Sequence, residues 1–499
     1  MPTKIYDFEK TLQPAGVLKW FKKICTIPHG SFHEKKLSKF LQNELRKNKC
    51  QVKEFKSGAF LAYKSATKGY EKLPCIMLQA HLDMVLVSDE NLKINLLNDP
   101  IKPFYDPKLK ILKAEGTSLG ADNGIGVAMI MEILTNPSIQ HGPIECLCTT
   151  GEEVDSSICM KSIPNGLFKA QQIINLDSEE DNTICIGSGA CRSLKAKHKV
   201  KFVSTPNQTK TYEIKLSNFK GGHSGILIHL PHINAIQMLA KSLMRFGKKN
   251  SFNIVSWNAG DAQNCIPKSS LLTLQLDSKK AAILEKMLKK QLILENNIVQ
   301  NNDQDAIVKM SLAKKQSKVA ISWKDSYRIM QMLALLPNGM FTYSKIGKCM
   351  FNSSNLGIVK IENQNLCLEI LARSLLDDDA TQIIDKISEY LQVFGLKANE
   401  IKINYDDCYA WLVLNPMKSS LIQTWKKNFI SVYKKEPKIM PTPGGLEVAA
   451  IIKKAPKLEQ NSLSCGPTIC YPHSTQEHCF VESINKIWSI LLKTLKNIK

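Results

Sequence analysis

The sequence lacks the apolar segments that a secreted or membrane-spanning protein needs. Its N-terminus, MPTKIYDFEKTLQPAG, carries acidic residues where a signal peptide would need an apolar core. No apolar run approaches the roughly 20 residues that cross a bilayer, and the best candidate, 127–134, is short and contains Glu132. We therefore expect a cytoplasmic protein that makes no membrane contact.

The sequence also lacks the C-x-x-C spacing that is typical of zinc ribbons and redox pairs. Its 15 cysteines are scattered, and an odd number cannot all pair. Several lie within apolar runs, where a reduced thiol packs as a small hydrophobic group: Cys75, Cys146, Cys148 and Cys367. These features indicate reduced thiols in a cytosolic protein rather than a disulfide framework or a zinc ribbon.

Clustered basic segments are missing as well, although 67 basic and 45 acidic residues give a net charge of +22. Such a charge could indicate binding to nucleic acid or to a membrane. The lysines are spread along the chain, however, and short pairs such as Lys314-Lys315 are not interleaved with aromatic residues, as a stacking groove requires. We expect no nucleic-acid partner and interpret the charge as general lysine enrichment.

The sequence does contain a recurring pattern in which an apolar run is followed by a histidine or a carboxylate. The runs and the side chains that follow them are 74–78 with His81 and Asp83, 143–148 with Glu152 and Glu153, 172–176 with Asp177, and 463–470 with His473. Continuous apolar runs are typical of central strands in a covered sheet. Ligands of open α/β sheets bind beyond the carboxyl ends of such strands, so we expect these side chains to meet.

The length of 499 residues is too great for one core and predicts two domains or more. Between about 192 and 404, strands that alternate apolar and polar positions lie between helical stretches, which is typical of an α+β domain. Because His473 lies beyond this segment, we interpret the segment as an insertion. The expected organisation is an α/β catalytic domain built on a mixed sheet, 1–191 and 405–499, with an inserted α+β domain, 192–404.

The first candidate pair is His81 and Asp83. Residues two apart on a strand face the same side, so His81 can bind a metal while Asp83 orients its imidazole. For H-x-D alone, an ordinary surface pair remains the alternative. Asp122, in the glycine-rich turn GADNGIG (120–126), could likewise be a simple helix cap or a carboxylate that bridges two metals. A phosphate loop is excluded there because no lysine follows.

The adjacent acids Glu152 and Glu153 directly follow a predicted strand. Two neighbouring acids are commonly solvated loop residues. A hydrolytic metal site, however, needs one carboxylate on the metal and another beside the bound water, free to take its proton. Taken singly, Asp177 could also be a loop residue and His473 a surface residue.

The candidates are informative as a set rather than singly. Two histidines and three carboxylates suit paired zinc. The three carboxylates carry about −3 and two divalent ions carry about +4, so about +1 is left for a bound hydroxide to neutralise. These five ligands are His81, Asp122, Glu153, Asp177 and His473. A metal-bound scaffold or a nucleic-acid-binding protein is the non-enzymatic alternative. It would be expected to have lost Glu152 or a ligand, and all are present.

Ordered motifs run nearly end to end through the chain. They are IPH (27–29), QAHLDMV (79–85), SLGADNGIG (118–126), TGEE (150–153), NLDSEE (175–180), KGGHSG (220–225), NCIP (264–267), ARSLLD (372–377), GGLE (444–447) and GPTICYPHS (466–474). In these motifs the sequence resembles the aminoacyl-histidine dipeptidases, also called cytosolic non-specific dipeptidases. They lie within the co-catalytic zinc peptidases that include carboxypeptidase G and the aminoacylases. The resemblance implies a metallo-dipeptidase that hydrolyses dipeptides, Xaa-His and broader.

The resemblance also implies how two zinc ions per subunit would be held. His81 and Asp177 would bind one ion and Glu153 and His473 the other, while Asp122 would bridge both. Manganese or cobalt would also suit these ligands.

For the reaction, the resemblance implies a metal-bridging hydroxide that attacks the peptide carbonyl. Glu152 would be the general base and Asp83 the orienting acid. His223 would stabilise the oxyanion, from its own chain or from a partner. The inserted domain would be a lid that also forms a homodimer.

Further side chains would contact the substrate by the same resemblance. Asn264 and Arg373 would bind its C-terminal carboxylate, because a guanidinium fork suits a planar carboxylate, and Glu447 would lie near its amino group. An N-acyl amino acid deacylase or an aminotripeptidase could use the same metal site. The whole-chain match favours dipeptides.

Overall fold

The computed structural model describes residues 4–205, 208–347 and 349–498, with side chains throughout these ranges except at 155–157. The chain divides into two units. Unit 1 comprises Met1–Ser188, Trp411–Thr442 and Leu446–Lys499, and unit 2 comprises Gly189–Ala410 and Pro443–Gly445.

The helices follow the apolar spacing of the sequence. In α1 the positions spaced for one helical face, Val17, Leu18, Phe21 and Ile24, are all buried. The α-helices are α1 (Ala15–Cys25), α2 (Lys35–Lys47), α3 (Ala121–Thr135), α4 (Glu152–Ser162), α5 (Ala235–Gly247), α6 (Ala281–Ile298), α7 (Trp323–Leu335), α8 (Asp377–Val393), α9 (Ser420–Tyr433), α10 (Glu447–Lys454) and α11 (Val481–Asn497).

The strands fall into three groups along the chain. The first group, in unit 1, is β1 (Gln51–Glu54), β2 (Phe60–Lys64), β3 (Ile76–His81), β4 (Pro103–Asp106), β5 (Ile111–Ala114), β6 (Ile144–Thr149), β7 (Gln172–Asn175) and β8 (Thr183–Ser188). Unit 2 contains β9 (Ala190–Lys199), β10 (Phe202–Ser204), β11 (Thr209–Ser217), β12 (Gly222–His223), β13 (Asn253–Ala259), β14 (Cys265–Ile266), β15 (Ser270–Asp277), β16 (Ile307–Leu312), β17 (Val319–Ile321), β18 (Gly339–Tyr343), β19 (Met350–Glu362), β20 (Asn365–Ser374) and β21 (Ile401–Cys408). Unit 1 resumes with β22 (Trp411–Leu412), β23 (Lys438–Thr442), β24 (Ser462–Ser464), β25 (Ile469–Cys470) and β26 (His478–Phe480).

Unit 1 is built around a mixed sheet in the order β1-β2-β6-β3-β7-β24-β8-β22, with β23 also paired to β8. Strand β3 runs parallel to both β6 and β7, and β24 runs parallel to β7. Every residue of these four strands is buried, as continuous apolar runs predict. The four neighbours therefore end at the same edge of the sheet, where the candidate side chains follow.

The prediction of a single strand over 463–470 is wrong. The segment forms two short strands in different sheets: β24 joins the central sheet, and β25 pairs with β26 in a small sheet that also contains β5 and β4. The strand is interrupted at Gly466, whose backbone lies so close to Ser178 that a Cβ would be 1.9 Å from the Ser178 carbonyl oxygen. Pro467 follows and has no N–H to continue a ladder. The break lets the chain leave the sheet before it reaches His473.

Unit 2 contains a second sheet in the order β16-β11-β15-β13-β19-β20-β9-β21, with β18 paired to β19. On β15, Leu272, Leu274 and Leu276 are buried together with the α5 side chains Leu239 and Leu243, which fits the predicted alternation. The α/β fold with mixed sheets is confirmed. No helix within the described ranges has the length and apolar character that crossing a membrane demands.

Candidate metal centre

Three neighbouring strands of unit 1 position most of the candidate ligands. His81 is the last residue of β3, and Asp177 lies two residues beyond β7. Glu152 and Glu153 begin α4, which starts just after β6. Because β6, β3 and β7 are parallel and adjacent, their carboxyl ends bring these side chains together.

Asp122 lies between two histidine–carboxylate pairs. Its Oδ1 is 3.1 Å from Nε2 of His81, which is also 3.1 Å from Oδ1 of Asp177. Its Oδ2 is 3.4 Å from Nε2 of His473, which is 2.9 Å from Oε2 of Glu153. The two oxygens of one carboxylate thus face two different imidazoles, each with its own second carboxylate.

The cluster carries more carboxylates than its two imidazoles can balance, and the pKa values reflect this excess. Hydrogen bonds to Asp122 and Glu153 raise the pKa of His473 to about 10. Burial alone would lower the pKa of His81, but Asp177 and Asp122 outweigh burial and raise it well above the usual range. Burial raises the pKa of Asp177 to about 6. The surrounding carboxylates thus favour the protonated form of both imidazoles.

This donor set fits a pair of divalent ions. Imidazole nitrogen and carboxylate oxygen are ligands that zinc accepts, and ligand atoms of His81, Asp122 and Glu153 lie within 4.8 Å of one another. The surplus negative charge is what two divalent cations would neutralise. The chemistry of the donors and their spacing therefore agree.

Asp83 makes two kinds of contact at this edge of the sheet. Its backbone carbonyl oxygen lies 3.0 Å from Nδ1 of His81, while its carboxylate Oδ1 lies 3.5 Å from the same nitrogen. With Nδ1–H donated to the carbonyl, Nε2 is left for a metal. The Asp83 carboxylate accepts backbone N–H groups of Glu152 at 3.0 Å and Glu153 at 3.1 Å, and the hydroxyl of Ser31 at 2.9 Å.

Glu152 and Glu447 are two further acids of unit 1 near the cluster. Burial raises the pKa of Glu152 well above its usual range. Glu447, the first residue of α10, is 3% exposed, and burial raises its pKa to about 8. Its Oε2 accepts hydrogen bonds from Gln79 and Thr149, while its Oε1 is buried without a partner among the described residues. An unpaired buried oxygen of this kind can accept a hydrogen bond from a ligand.

Unit 2 brings its own three candidates together. His223 on β12 pairs with Cys265 on β14, and Asn264 precedes that strand. A Cβ at Gly225 would lie 2.9 Å from Cε1 of His223 and 3.1 Å from Cζ of Arg373. His223 and Arg373 therefore converge on one glycine.

The chemistry of this group suits a ligand that carries negative charge. Burial, with a contribution from Arg373, lowers the pKa of His223. The backbone N–H of Ile226 approaches its Nδ1 at 3.3 Å, so the neutral ring carries its hydrogen on Nε2. Arg373 is 6% exposed, its Nε has no hydrogen-bond partner in the described part of the chain, and its Nη1 contacts the Pro443 carbonyl oxygen at 3.4 Å. Within the described ranges, this buried cation lacks a carboxylate partner.

Sequence reasoning missed several residues that fix the cluster. Oε1 of Glu34 accepts the N–H of Gly151 at 2.8 Å, Nδ2 of Asn123 donates to Oδ1 of Asp177 at 2.5 Å, and Glu477 accepts N–H groups of the turn before α3. Each of these contacts joins residues that are far apart in the sequence, so no local motif could reveal it.

Comparisons with known proteins cover nearly the whole chain. It is 30% identical over 489 residues to the cytosol non-specific dipeptidase of Escherichia coli (strain K12), and the match covers 98% of each sequence. The crystal structure of aminoacylhistidine dipeptidase from Vibrio alginolyticus superposes with a TM-score of 0.88 at 27% identity, over 98% of each chain.

A more distant structure shares the fold alone. The M20 family metallo-carboxypeptidase Sso-CP2 from Sulfolobus solfataricus gives a TM-score of 0.51 at 13% identity, with 96% of this chain and 98% of that chain covered. No protein-family model matches the sequence.

Proposed function

Since the chain belongs to the cytosol non-specific dipeptidase family, and is thus a hydrolase that acts on peptide bonds, we propose that it is a dinuclear metallo-dipeptidase of the cytosol. Its substrates would be dipeptides, Xaa-His and broader. The observation that carries the proposal is the position of Asp122, whose two oxygens face His81 and His473 separately.

The proposed ligand sets follow these contacts. His81 and Asp177 would hold one ion, Glu153 and His473 the other, and Asp122 both. Two bound divalent ions, zinc or else manganese or cobalt, would supply an acidified water and polarise the scissile carbonyl.

Glu152 would carry the proton in this reaction. It begins α4 beside Glu153, and its backbone N–H is fixed by the Asp83 carboxylate at 3.0 Å. The Glu152 carboxylate would take a proton from the attacking water and deliver it to the amine that leaves. Asp83 would act by holding both this helix start and the His81 imidazole.

Unit 2 would contribute the remaining contacts to substrate. Nε2–H of neutral His223 would donate to the oxyanion, and the guanidinium of Arg373, with Asn264, would bind the C-terminal carboxylate. In unit 1, the unpaired Oε1 of Glu447 would accept the substrate ammonium. We propose that the inserted domain acts as a lid and forms a homodimer, so that His223 could come from either subunit.

A substrate panel on metal-reconstituted protein tests this function. The panel comprises β-alanyl-His, alanyl dipeptides, a tripeptide and N-acetyl amino acids, each with and without added Zn²⁺, Mn²⁺ or Co²⁺. The proposal expects metal-dependent cleavage with the largest kcat/KM for dipeptides. Faster cleavage of N-acetyl amino acids would identify a deacylase, and faster cleavage of the tripeptide would identify an aminotripeptidase.

A further inference from the structure

The carboxylate of Glu477 is buried against the turn that presents Asp122. Its Oε2 accepts the backbone N–H groups of Leu119 at 2.7 Å and Gly120 at 3.0 Å, and its Oε1 accepts those of Ala121 at 2.8 Å and Asp122 at 3.4 Å. Glu477 is 2% exposed. A single side chain therefore pairs four consecutive donors that lie more than 350 residues earlier in the chain.

The turn adopts an irregular backbone conformation. No side chain at the α3 N-cap position accepts these N–H groups, and Asp122 itself has the non-helical angles φ −84° and ψ 106°. Gly120 has φ 69°, in the left-handed region. Buried N–H groups without partners are unfavourable, so removing the Glu477 carboxylate would release the turn to find other conformations.

The other end of Glu477 is tied to His473. The backbone N–H of Glu477 donates to the Ser474 carbonyl oxygen at 3.2 Å, and the Ser474 hydroxyl donates to the Tyr471 carbonyl oxygen at 2.7 Å. His473 lies inside this turn with φ 59°. Glu477 thus joins the turn that carries His473, through its backbone, to the turn that carries Asp122, through its carboxylate.

The proposed metal ligands His81 and Asp177 are held by different contacts. His81 lies on β3, whose ladder pairs it with Thr149 of β6. Asp177 follows β7, and the N–H of Leu176 beside it donates to the Gln79 carbonyl oxygen at 2.9 Å. The hydrogen bonds of the central sheet fix these two side chains without any contribution from Glu477.

We propose that Glu477 is a positioning residue for the metal pair: it holds Asp122 and His473 in register, so that the ion bound by Glu153 and His473 depends on it. The ion bound by His81 and Asp177 depends on it less. This inference rests on the proposed dinuclear function. It adds that the two proposed metal positions differ in the contacts that hold their ligands in place.

Metal titration of Glu477→Gln tests the proposal. The amide keeps the shape but turns an NH₂ group towards backbone donors. Apo protein is titrated with Co²⁺ while the visible absorption of each equivalent is recorded, and the parent is expected to bind two. In the variant we expect one ion bound at close to the parent affinity and a second ion weakened about 10- to 100-fold, the usual effect of losing a residue that supports a metal ligand. The matched control is Glu482→Gln, since the Glu482 side chain is 72% exposed and pairs with Lys486.

A second measurement needs no metal. Amide hydrogen exchange at 119–122 should accelerate in Glu477→Gln and stay unchanged in Glu482→Gln. Should Glu477→Gln fail to fold, Glu477→Asp keeps the charge on a shorter side chain, and the same selective weakening is expected.

The possible outcomes separate the two proposals. A variant that binds both ions as tightly as the parent, or that loses both equally, would overturn the role of Glu477. A parent protein that binds no divalent ion would instead overturn the dinuclear function.

Discussion

The backbone N–H of Glu152 donates to the carboxylate of Asp83 at 3.0 Å. The same Asp83 lies against the His81 imidazole through its carbonyl oxygen. The start of the helix that carries the proposed base is therefore fixed through its backbone, independently of the charge on the base. This separation makes the role of Glu152 testable without disturbing its position.

Replacing Glu152 with glutamine should leave the fold and both ions in place while removing turnover. An amide cannot accept the proton, and loss of a general base commonly lowers kcat about 10²- to 10⁴-fold. Metal content, melting temperature and kcat on one dipeptide measure the three quantities. Glu180→Gln is the matched control, because Glu180 is exposed on the loop after Asp177. A metal-replete Glu152→Gln protein with near-normal kcat would reject Glu152 as the base.

Removing metal should lower the melting temperature as well as the activity. The acids Asp83, Asp122, Glu152, Glu153 and Asp177 converge at one edge of the sheet, and without cations their charges repel. Ions that bind the native state at 100 to 1,000 times Kd stabilise it by about 3–4 kcal/mol. Thermal unfolding with and without a chelator measures this effect.

The control for chelation is a protein that cannot bind the pair. Asp122→Asn removes the charge that faces both histidines, so its melting temperature should respond far less to the chelator. An unchanged melting temperature in the parent, after verified metal removal, would contradict a metal site at this cluster.

The parts of the site that follow buried strands were predictable from the sequence, and the parts held by distant backbone contacts were not. Apolar runs identified β3, β6 and β7 because a doubly covered strand must be apolar along its length. The side chains just beyond them, such as His81 and Asp177, could therefore be placed at one edge.

The errors and omissions have physical causes. The run 463–470 looks like one strand by composition, but Gly466 approaches the Ser178 backbone and breaks it. The function of Glu477 could not be predicted, because its partners are backbone N–H groups that any residue type provides. The change in pattern between 192 and 404 predicts an inserted segment, and its roles as lid and dimer interface remain predictions.

The role of His223 can be tested by subunit complementation. His223→Ala should retain metal but lose about 10²- to 10³-fold in kcat, as expected for an oxyanion donor. If the residue acts in the partner's site, mixing His223→Ala with the inactive Glu152→Gln protein should restore activity. One site of each mixed dimer would then contain both intact residues.

The complementation assay needs proof that subunits exchange. Two differently tagged parent proteins, mixed under the same conditions, supply this control. No recovery despite verified exchange would place His223 in its own chain's site, and full activity of His223→Ala alone would remove it from the mechanism.

Arg373→Met should weaken substrate binding while making the protein more stable. A buried guanidinium without a carboxylate partner is unfavourable, and among the residues that the structure describes Nε of Arg373 has no hydrogen-bond partner, so an apolar side chain of similar length should raise the melting temperature. The lost hydrogen bonds to a charged carboxylate contribute about 1.5–3 kcal/mol, so KM should rise roughly 10- to 150-fold. For the same dipeptide with a C-terminal amide, KM should differ little between parent and variant. An equal rise in KM for the acid and the amide would contradict carboxylate binding by Arg373.

The order of the segments in the chain sets when this enzyme can mature on the ribosome. His473 is made roughly 300 residues after Asp177, which takes about 15–60 s at 5–20 residues per second. During that interval β7 lacks its neighbour β24, so the nascent sheet presents an unpaired edge that can associate with other chains. Because the same late segment supplies both β24, which covers the edge of β7, and the proposed ligand His473, capture of the second ion and protection of the sheet should occur together, only after this segment has been made.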